Sequence, residues 1–569
     1  MSFLSRYAAL ALVCLASSPA LAERTPIPSR VVADKVLLGN IHTSARAPAA
    51  VEATALAIKD GKIIAVGSEL QLRLRGYVGP NTQVDDQRGQ TVVPGFVGAH
   101  DHILKPLNPD TQLCPVFSAP GQLDTDPSYS EALTAAAFCA ANYFPPGAPM
   151  ALFVGPEFLA SGHGLNARAD FTVAAPLNPL FMFQVREGHG GTANGPAFDA
   201  VGMSTGPGSP DYYSGYLGRM PDDSPDGHVQ EMQQIPFFRM LASLVPVEAK
   251  REEYRVWLNT ALSQGYVYAL NIPFDGYAGE TVPLGDSIQH PVELDTACLP
   301  LSATETCTPH PRQGRVRWVK AFADGAIAAC GGATDLPYVD STQCPSVGPG
   351  WKGRLDLSRQ QLEARMRSVM ATPDQCLMVH AWGRRAARTV AEVAVSLWLE
   401  TGRKPCLTLE HGAMTDAATR AMLLLVGAGI VVNPQHMDFL DIMALRHDPR
   451  ELADAERFRS FVEAGFVMGV GADTFASPEA PLKQIHRMVT QARPEERLTV
   501  RQAVEAITRG SAEARRLRNL GTLEVGKDAS YVVLSHNIFS GNLQDLEQAT
   551  VLKTVIKGEL GVPVPPPAP

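Results

Sequence analysis

Five short apolar runs between Arg315 and Asp473 each stop on polar residues, and this pattern narrows the fold more than any other feature. They are RVRWVKAFADG (Arg315 to Gly325), CLMVHAWG (Cys376 to Gly383), CLTLEHGA (Cys406 to Ala413), GIVVNPQH (Gly429 to His436) and FVMGVGAD (Phe466 to Asp473). Each reads as a buried strand. Helix-patterned stretches, such as Ser358 to Met370 and Thr415 to Leu425, lie between several of them. Repeated β-α units predict an α/β chain with a parallel sheet, and at 569 residues a closed (β/α)8 barrel. In such a barrel the reacting residues sit at the carboxyl ends of the strands. That is where these runs carry their polar residues.

An earlier run, TVVPGFVGAHDHIL (Thr91 to Leu104), ends in two histidines one residue apart. Side chains two apart on a strand share a face, so His100 and His102 project together and Asp101 points elsewhere. Alone, the pair reads equally as half a metal site or as histidines hydrogen-bonded at a barrel rim. The full set of strand-end residues is His100, His102, Lys320, His380, His411 and Asp473. Imidazole nitrogens and carboxylate oxygens suit zinc and related divalent ions.

The flanks differ from the middle. Val31 to Leu38 and Ala55 to Val66 read as strands, the second folded at Asp60-Gly61. GTLEVGKDASYVVLS and VLKTVIKGELG near the other end have the same style. Residues 31–94 and 520–561 are therefore expected to form one small composite β-sandwich. The barrel would occupy 95–519, with insertions around 104–311 that shape a pocket. Residues 562–569 form a proline-rich tail.

Residues 1–22 have Arg6, an apolar run and Ala20-Leu21-Ala22, the pattern of a secretory signal cleaved after Ala22. Export, to the periplasm or outside the cell, is the expectation. Lipidation at Cys14 is disfavoured by the bulky Val13 before it. No later segment is long and apolar enough to span a bilayer. A net charge of -9 argues against a nucleic-acid partner. Eight cysteines remain after Cys14, an even number that permits disulfides in an oxidising compartment, with connectivity open. None forms a C-x-x-C motif. Cys330 and Cys344 flank one short loop and are predicted to be bridged.

These motifs resemble the amidohydrolase superfamily. TVVPGFVGAHDHI looks like its Pro-Gly…H-x-H strand. VKAFADGAI, VHAWGRRA, LEHGAM, VGAD and GTLEVGKDA resemble, in order, markers of the family-3 branch, which includes N-substituted formamide deformylases. The resemblance runs from about Val31 to Gly558. It implies a metal-bearing barrel that hydrolyses C–N bonds of small amides by a metal-activated hydroxide. It implies two divalent ions, with zinc suited to the ligand types: His100 and His102 on the more buried ion, His380 and His411 on the other. Asp473 would be ligand and proton carrier. Lys320 matches a lysine that is carboxylated in two-metal relatives; the alternative is an ion pair with Asp324. His189 and Asn194 resemble substrate-side loop residues, and His163 does so more weakly. Two departures stand out. Gly98 replaces a usual aspartate, and Gly383-Arg384-Arg385-Ala386 replaces Gly-Asp-Arg-Ala, so Arg384 is expected at the pocket rim. A small-molecule amide is the expected partner, with a homodimer as one expected assembly. The same metal site could serve an esterase, lactonase or isomerase, and a non-catalytic binding protein is the remaining reading.

Overall fold

The computed structural model describes residues 31–566, apart from 163, 185–187, 274–279, 302–304, 327–329, 340–343, 345–346 and 476. The expected signal segment, residues 1–22, and His163 therefore lie outside the described residues. Eight strands run parallel in two sheets: β1 Phe96–Asp101, β2 Tyr266–Asn271, β3 Glu293–Thr296, β4 Arg317–Phe322, β5 Gln375–Ala381, β6 Leu407–His411, β7 Gly429–Val432 and β8 Met468–Val470. The first three form one sheet and the last five another. The sheets meet at both edges. Cys298, just after β3, pairs with Val319 of β4, and His102, just after β1, pairs with Phe475 beyond β8. The ring is thereby closed, with every strand's carboxyl end on the same side.

Helices cover the outside where the sequence supplies an apolar face. Arg384–Thr401 buries Ala386, Ala387, Val390, Ala391, Val393, Ala394 and Leu397, mostly small residues that let it lie close to the sheet. Gly402, at φ 69°, ends it in the left-handed conformation that glycine adopts without steric cost. Arg359–Ala371 starts at a Ser358/Gln361 capping box, and Ala417–Val426 starts at Asp416. Both helices match the expected stretches to within two residues.

The insertion falls between β1 and β2. It contains a five-stranded sheet in the order Leu217–Arg219, Pro225–Gln230, Gly190–Ala193, Leu180–Gln184, Met150–Val154. The connection from β3 to β4 carries no helix among the described residues and is clipped by a Cys298–Cys307 disulfide.

The two chain ends share one mixed sheet of seven strands, joined where Tyr531–Leu534 runs antiparallel to Gln83–Pro94. The composite character expected from the sequence holds. The sandwich does not: the described residues form a single sheet that curls, so that Ile63 N bonds Lys527 O at 3.0 Å and Gly526 N bonds Ile63 O at 2.8 Å. Curling lets one sheet enclose Leu37, Leu56, Ile58, Val92, Tyr531 and Val533, so no second layer is needed. All eight cysteines among the described residues are paired, as Cys114–Cys139, Cys298–Cys307, Cys330–Cys344 and Cys376–Cys406. The expected Cys330–Cys344 bridge is among them, with a Cα separation of 5.6 Å.

Candidate functional site

The carboxyl ends of β1, β4, β5, β6 and β8 converge on one small space. His100, His102, Lys320, His380, His411 and Asp473 all line it, together with His189 and Glu231 from the insertion. Its volume is about 20 Å³, room for one water-sized group. Close approach depends on Gly471, because a Cβ there would lie 2.3 Å from the Cβ of His100. Asp473 itself has φ 52° and His411 φ 68°, left-handed conformations that cost free energy outside glycine. Asp473 is held there by a bond from its N–H to His100 O at 2.8 Å.

The hydrogen bonds behind the histidines determine which nitrogen faces the centre. His100 Nδ1 lies 2.7 Å from Glu410 Oε2, and His102 Nδ1 lies 2.7 Å from Ile272 O. Carboxylates and carbonyls only accept, so both rings must donate through Nδ1 and keep a lone pair on Nε2. His411 follows the same logic through Asn433 Oδ1 at 2.8 Å, since Asn433 Nδ2 is committed to Gly471 O. The Nε2 atoms of His100 and His102 then lie 3.3 and 3.0 Å from Asp473 Oδ1. His411 Nε2 is buried with no hydrogen-bond partner. One ligand atom each from His100, His411 and Asp473 falls within 4.8 Å of the others. Imidazole lone pairs and a carboxylate crowded together repel one another. A cation among them removes that repulsion, so this donor set fits a divalent metal.

The ring of His380 lies 4.4 Å from that of His411 and 4.7 Å from that of His189. Burial, aided by these neighbours, holds the His380 imidazole well below its ordinary value, which keeps it neutral and able to ligate. Burial also lowers the Lys320 ammonium to about 8, against the pull of the Glu410 and Asp473 carboxylates. Burial alone would raise the Asp473 carboxyl, but the imidazoles around it hold it well below the usual carboxylate range.

Asp324 is not a partner of Lys320. It accepts from the backbone N–H of Ala333, Trp382 and Gly383, and so braces the turn after β5. Two expected pocket residues are also placed elsewhere. Asn194 is fully buried and fills its bonding capacity on backbone, accepting from Leu180 N and Ala197 N and donating to Asn178 O. Arg384, at the start of its helix, is tied to Asp454 at 2.8 Å and Glu451 at 3.5 Å. The charge of Arg384 is thus matched by acids on the neighbouring segment. His189 does reach the centre, bonded through Nδ1 to Glu231 at 2.9 Å.

Four further residues enter the site from the tertiary structure. Glu410 backs His100, and Arg515 donates to it from Nη2 at 2.6 Å and to Ala99 O from Nε at 2.7 Å. This buried pair supplies a carboxylate behind the H-x-H strand, where Gly98 cannot. Glu231 orients His189. His436 stands 3.7 Å from Asp473 and 3.6 Å from Glu456; burial opposes its charge, but the two carboxylates raise it to about 9. Glu410 and His436 lie in the polar ends of CLTLEHGA and GIVVNPQH, whereas Glu231 and Arg515 left no signal in the sequence.

The amidohydrolase family model matches residues 83–561. The chain is similar to N-substituted formamide deformylase of Arthrobacter pascens, 23% identical over 541 residues, covering 89% of this chain and 94% of that one. It is also similar to Protein LONG AFTER FAR-RED 3 of Arabidopsis thaliana, 24% identical over 580 residues, covering 94% and 92%. Among solved structures, its fold resembles an uncharacterized metal-dependent hydrolase from Pyrococcus furiosus, with a TM-score of 0.58 at 17% identity, covering 89% of this chain and all of that one.

Proposed function

The chain belongs to the amidohydrolase family, and from that premise we propose that it is an exported hydrolase of C–N bonds in small amides, with a (β/α)8 barrel holding two zinc ions. The observation that carries this reading is the convergence of His100 Nε2 and His102 Nε2 on Asp473 Oδ1, at 3.3 and 3.0 Å. His100 and His102 would hold one ion, His380 and His411 the other. A divalent ion bound there supplies Lewis acidity, acidifying water and polarising a carbonyl. Lys320 is carboxylated in this reading. Its ammonium has only donors, whereas a carbamate offers two anionic oxygens that offset two dications. The lowered Lys320 supports it, because the neutral amine is the form that takes up carbon dioxide.

Asp473 moves the proton. It faces the centre as a carboxylate, the form that can take a proton from the attacking water as general base. It then returns that proton to the leaving nitrogen, which departs poorly as an anion. Export is supported by four disulfides, a bond type that persists in oxidising compartments. No helix among the described residues is long and apolar enough to cross a membrane.

The test is Asp473→Asn, assayed on N-formyl, N-acyl amino acid and cyclic amides. Because Asn still offers one oxygen, zinc content should change little while kcat falls at least ~100-fold. Near-wild-type turnover by this variant removes Asp473 from the mechanism.

A further inference from the structure

A cleft of about 490 Å³ lies where the terminal sheet meets the barrel. Glu293 opens β3 and Arg315 precedes β4 by two residues, so this cleft is at the amino ends of the strands, opposite the metal centre. Its other wall is formed by Lys557 and the turn at Asp60 and Gly61, packed so closely that a Cβ on Gly61 would lie 2.7 Å from Lys557 O. Most of its charges are matched. Lys62 pairs with Asp528 at 2.5 Å, Lys557 pairs with Glu293 at 2.8 Å, and Arg315 pairs with the same Glu293. Arg516 and Arg518 are left over. Both are exposed and line the cleft, and neither side chain has a hydrogen-bond or ion-pair partner among the described residues. The Asp60 carboxylate is likewise unpaired. Arg516 also stands where an arginine is costly. Leu517 N bonds Ala512 O at 2.7 Å to close the end of the helix Ser511–Ala514, and Arg516, at φ 59°, takes the left-handed position there that favours glycine. No polar contact of its side chain offsets that cost. The turn itself is fixed, because Arg518 O accepts from Lys527 Nζ and Asp528 N bonds Asn519 O at 3.0 Å. Two unpaired guanidiniums are thus held ready on a rigid support.

We propose that this cleft binds a soluble, hydroxylated phosphate monoester, with the phosphate held by Arg516 and Arg518 and a hydroxyl group donated to Asp60. Each guanidinium presents a planar fork of N–H donors that fits phosphate oxygens. A phosphate monoester carries a charge of about −1.5 to −2 at neutral pH, which balances two unpaired cations, whereas a carboxylate would leave one unmatched. Asp60 repels a second anionic group but accepts from a hydroxyl, so the rest of the ligand is neutral and hydroxylated. The cleft has room for that organic part beyond the ion itself. It shares no residue with the metal centre, so its ligand is independent of the hydrolytic reading.

Calorimetry on the zinc-loaded protein with inorganic phosphate and glycerol 3-phosphate tests the cleft without requiring turnover. Glycerol 3-phosphate should bind the more tightly of the two. Both should weaken ~10-fold in Arg516→Gln and again in Arg518→Gln, the value of a charge-assisted hydrogen bond. In Asp60→Ala the preference for glycerol 3-phosphate should vanish. Arg516→Gly should lose binding to the same degree and yet raise the urea midpoint, because glycine fits the left-handed position. A lowered midpoint would give the Arg516 side chain a structural role and overturn its assignment to a ligand. Absence of binding by the wild type at millimolar phosphate overturns the site. Binding that survives undiminished in Arg516→Gln/Arg518→Gln resides elsewhere, at the metal centre or as an adventitious ion only, and overturns it equally. Adsorption to phosphatidylglycerol vesicles without binding of glycerol 3-phosphate overturns the soluble ligand.

Discussion

Replacing Glu410 by Gln probes the support beneath His100. Glu410 Oε2 accepts from His100 Nδ1 at 2.7 Å and Arg515 Nη2 at 2.6 Å, while Oε1 accepts from Thr408 Oγ1 at 2.6 Å. Both side chains of the Glu410–Arg515 pair are 0% exposed. Gln keeps the shape and loses the charge, so Arg515 remains buried without its counter-ion. Removing one partner of a buried pair costs ~3–5 kcal/mol of stability. Removing the group behind a metal-ligating histidine costs ~10–100-fold in metal affinity. The two effects separate in Glu410→Leu/Arg515→Met, where both charges are gone and apolar side chains fill the space. That double variant should recover most of the stability and none of the affinity. Urea unfolding of the zinc-free protein measures the first, and competition with a chelator measures the second. Wild-type zinc affinity in the double variant would refute the reasoning, because His100 would then need no carboxylate behind it.

Lys320→Ala should lose activity and one of two zinc ions together, and short carboxylic acids that fit the vacated space should restore part of both; metal analysis and amide turnover report it, and two ions retained by the variant count against a carbamate bridge. Cys330→Ser/Cys344→Ser opens a loop with a sequence separation of 14 and should lower stability by roughly 3 kcal/mol in urea unfolding. Peptide mapping of the wild type without reductant should return the two cysteines linked. Burial, helped by Arg501, pulls His42 from its ordinary 6.5 down to about 4. The unfolded chain therefore binds a proton that the folded chain refuses between those values, so this contribution is present above pH 6.5 and lost as pH falls toward 4. His42→Gln should flatten that part of the stability–pH curve, and an unchanged slope would contradict the assignment.

The strands and their polar ends were legible in the sequence because both depend on local pattern. A buried parallel strand needs a continuous apolar run, and residues two apart must share a face. His100, His102, Lys320, His380, His411 and Asp473 could thus be placed at strand ends from the sequence, and the structure brings all six to one space. The helices over Arg359–Ala371 and Ala417–Val426 were legible for the same reason, as helix-patterned stretches between the strands.

What only the tertiary structure decided is pairing over long separations in sequence. Glu410 and Arg515 are 105 residues apart, and neither carries a local mark of the other. Asn194 and Arg384 resembled pocket residues by motif, yet their side chains are spent on nearby backbone and on Asp454 and Glu451. A motif states which side chain is present but not what it touches. Closure of the ring through His102 and Phe475, the curled sheet shared by the chain ends, and the cleft between that sheet and the barrel all follow from that same limit. Local pattern sets which face a residue takes, and packing between distant segments sets what lies opposite it.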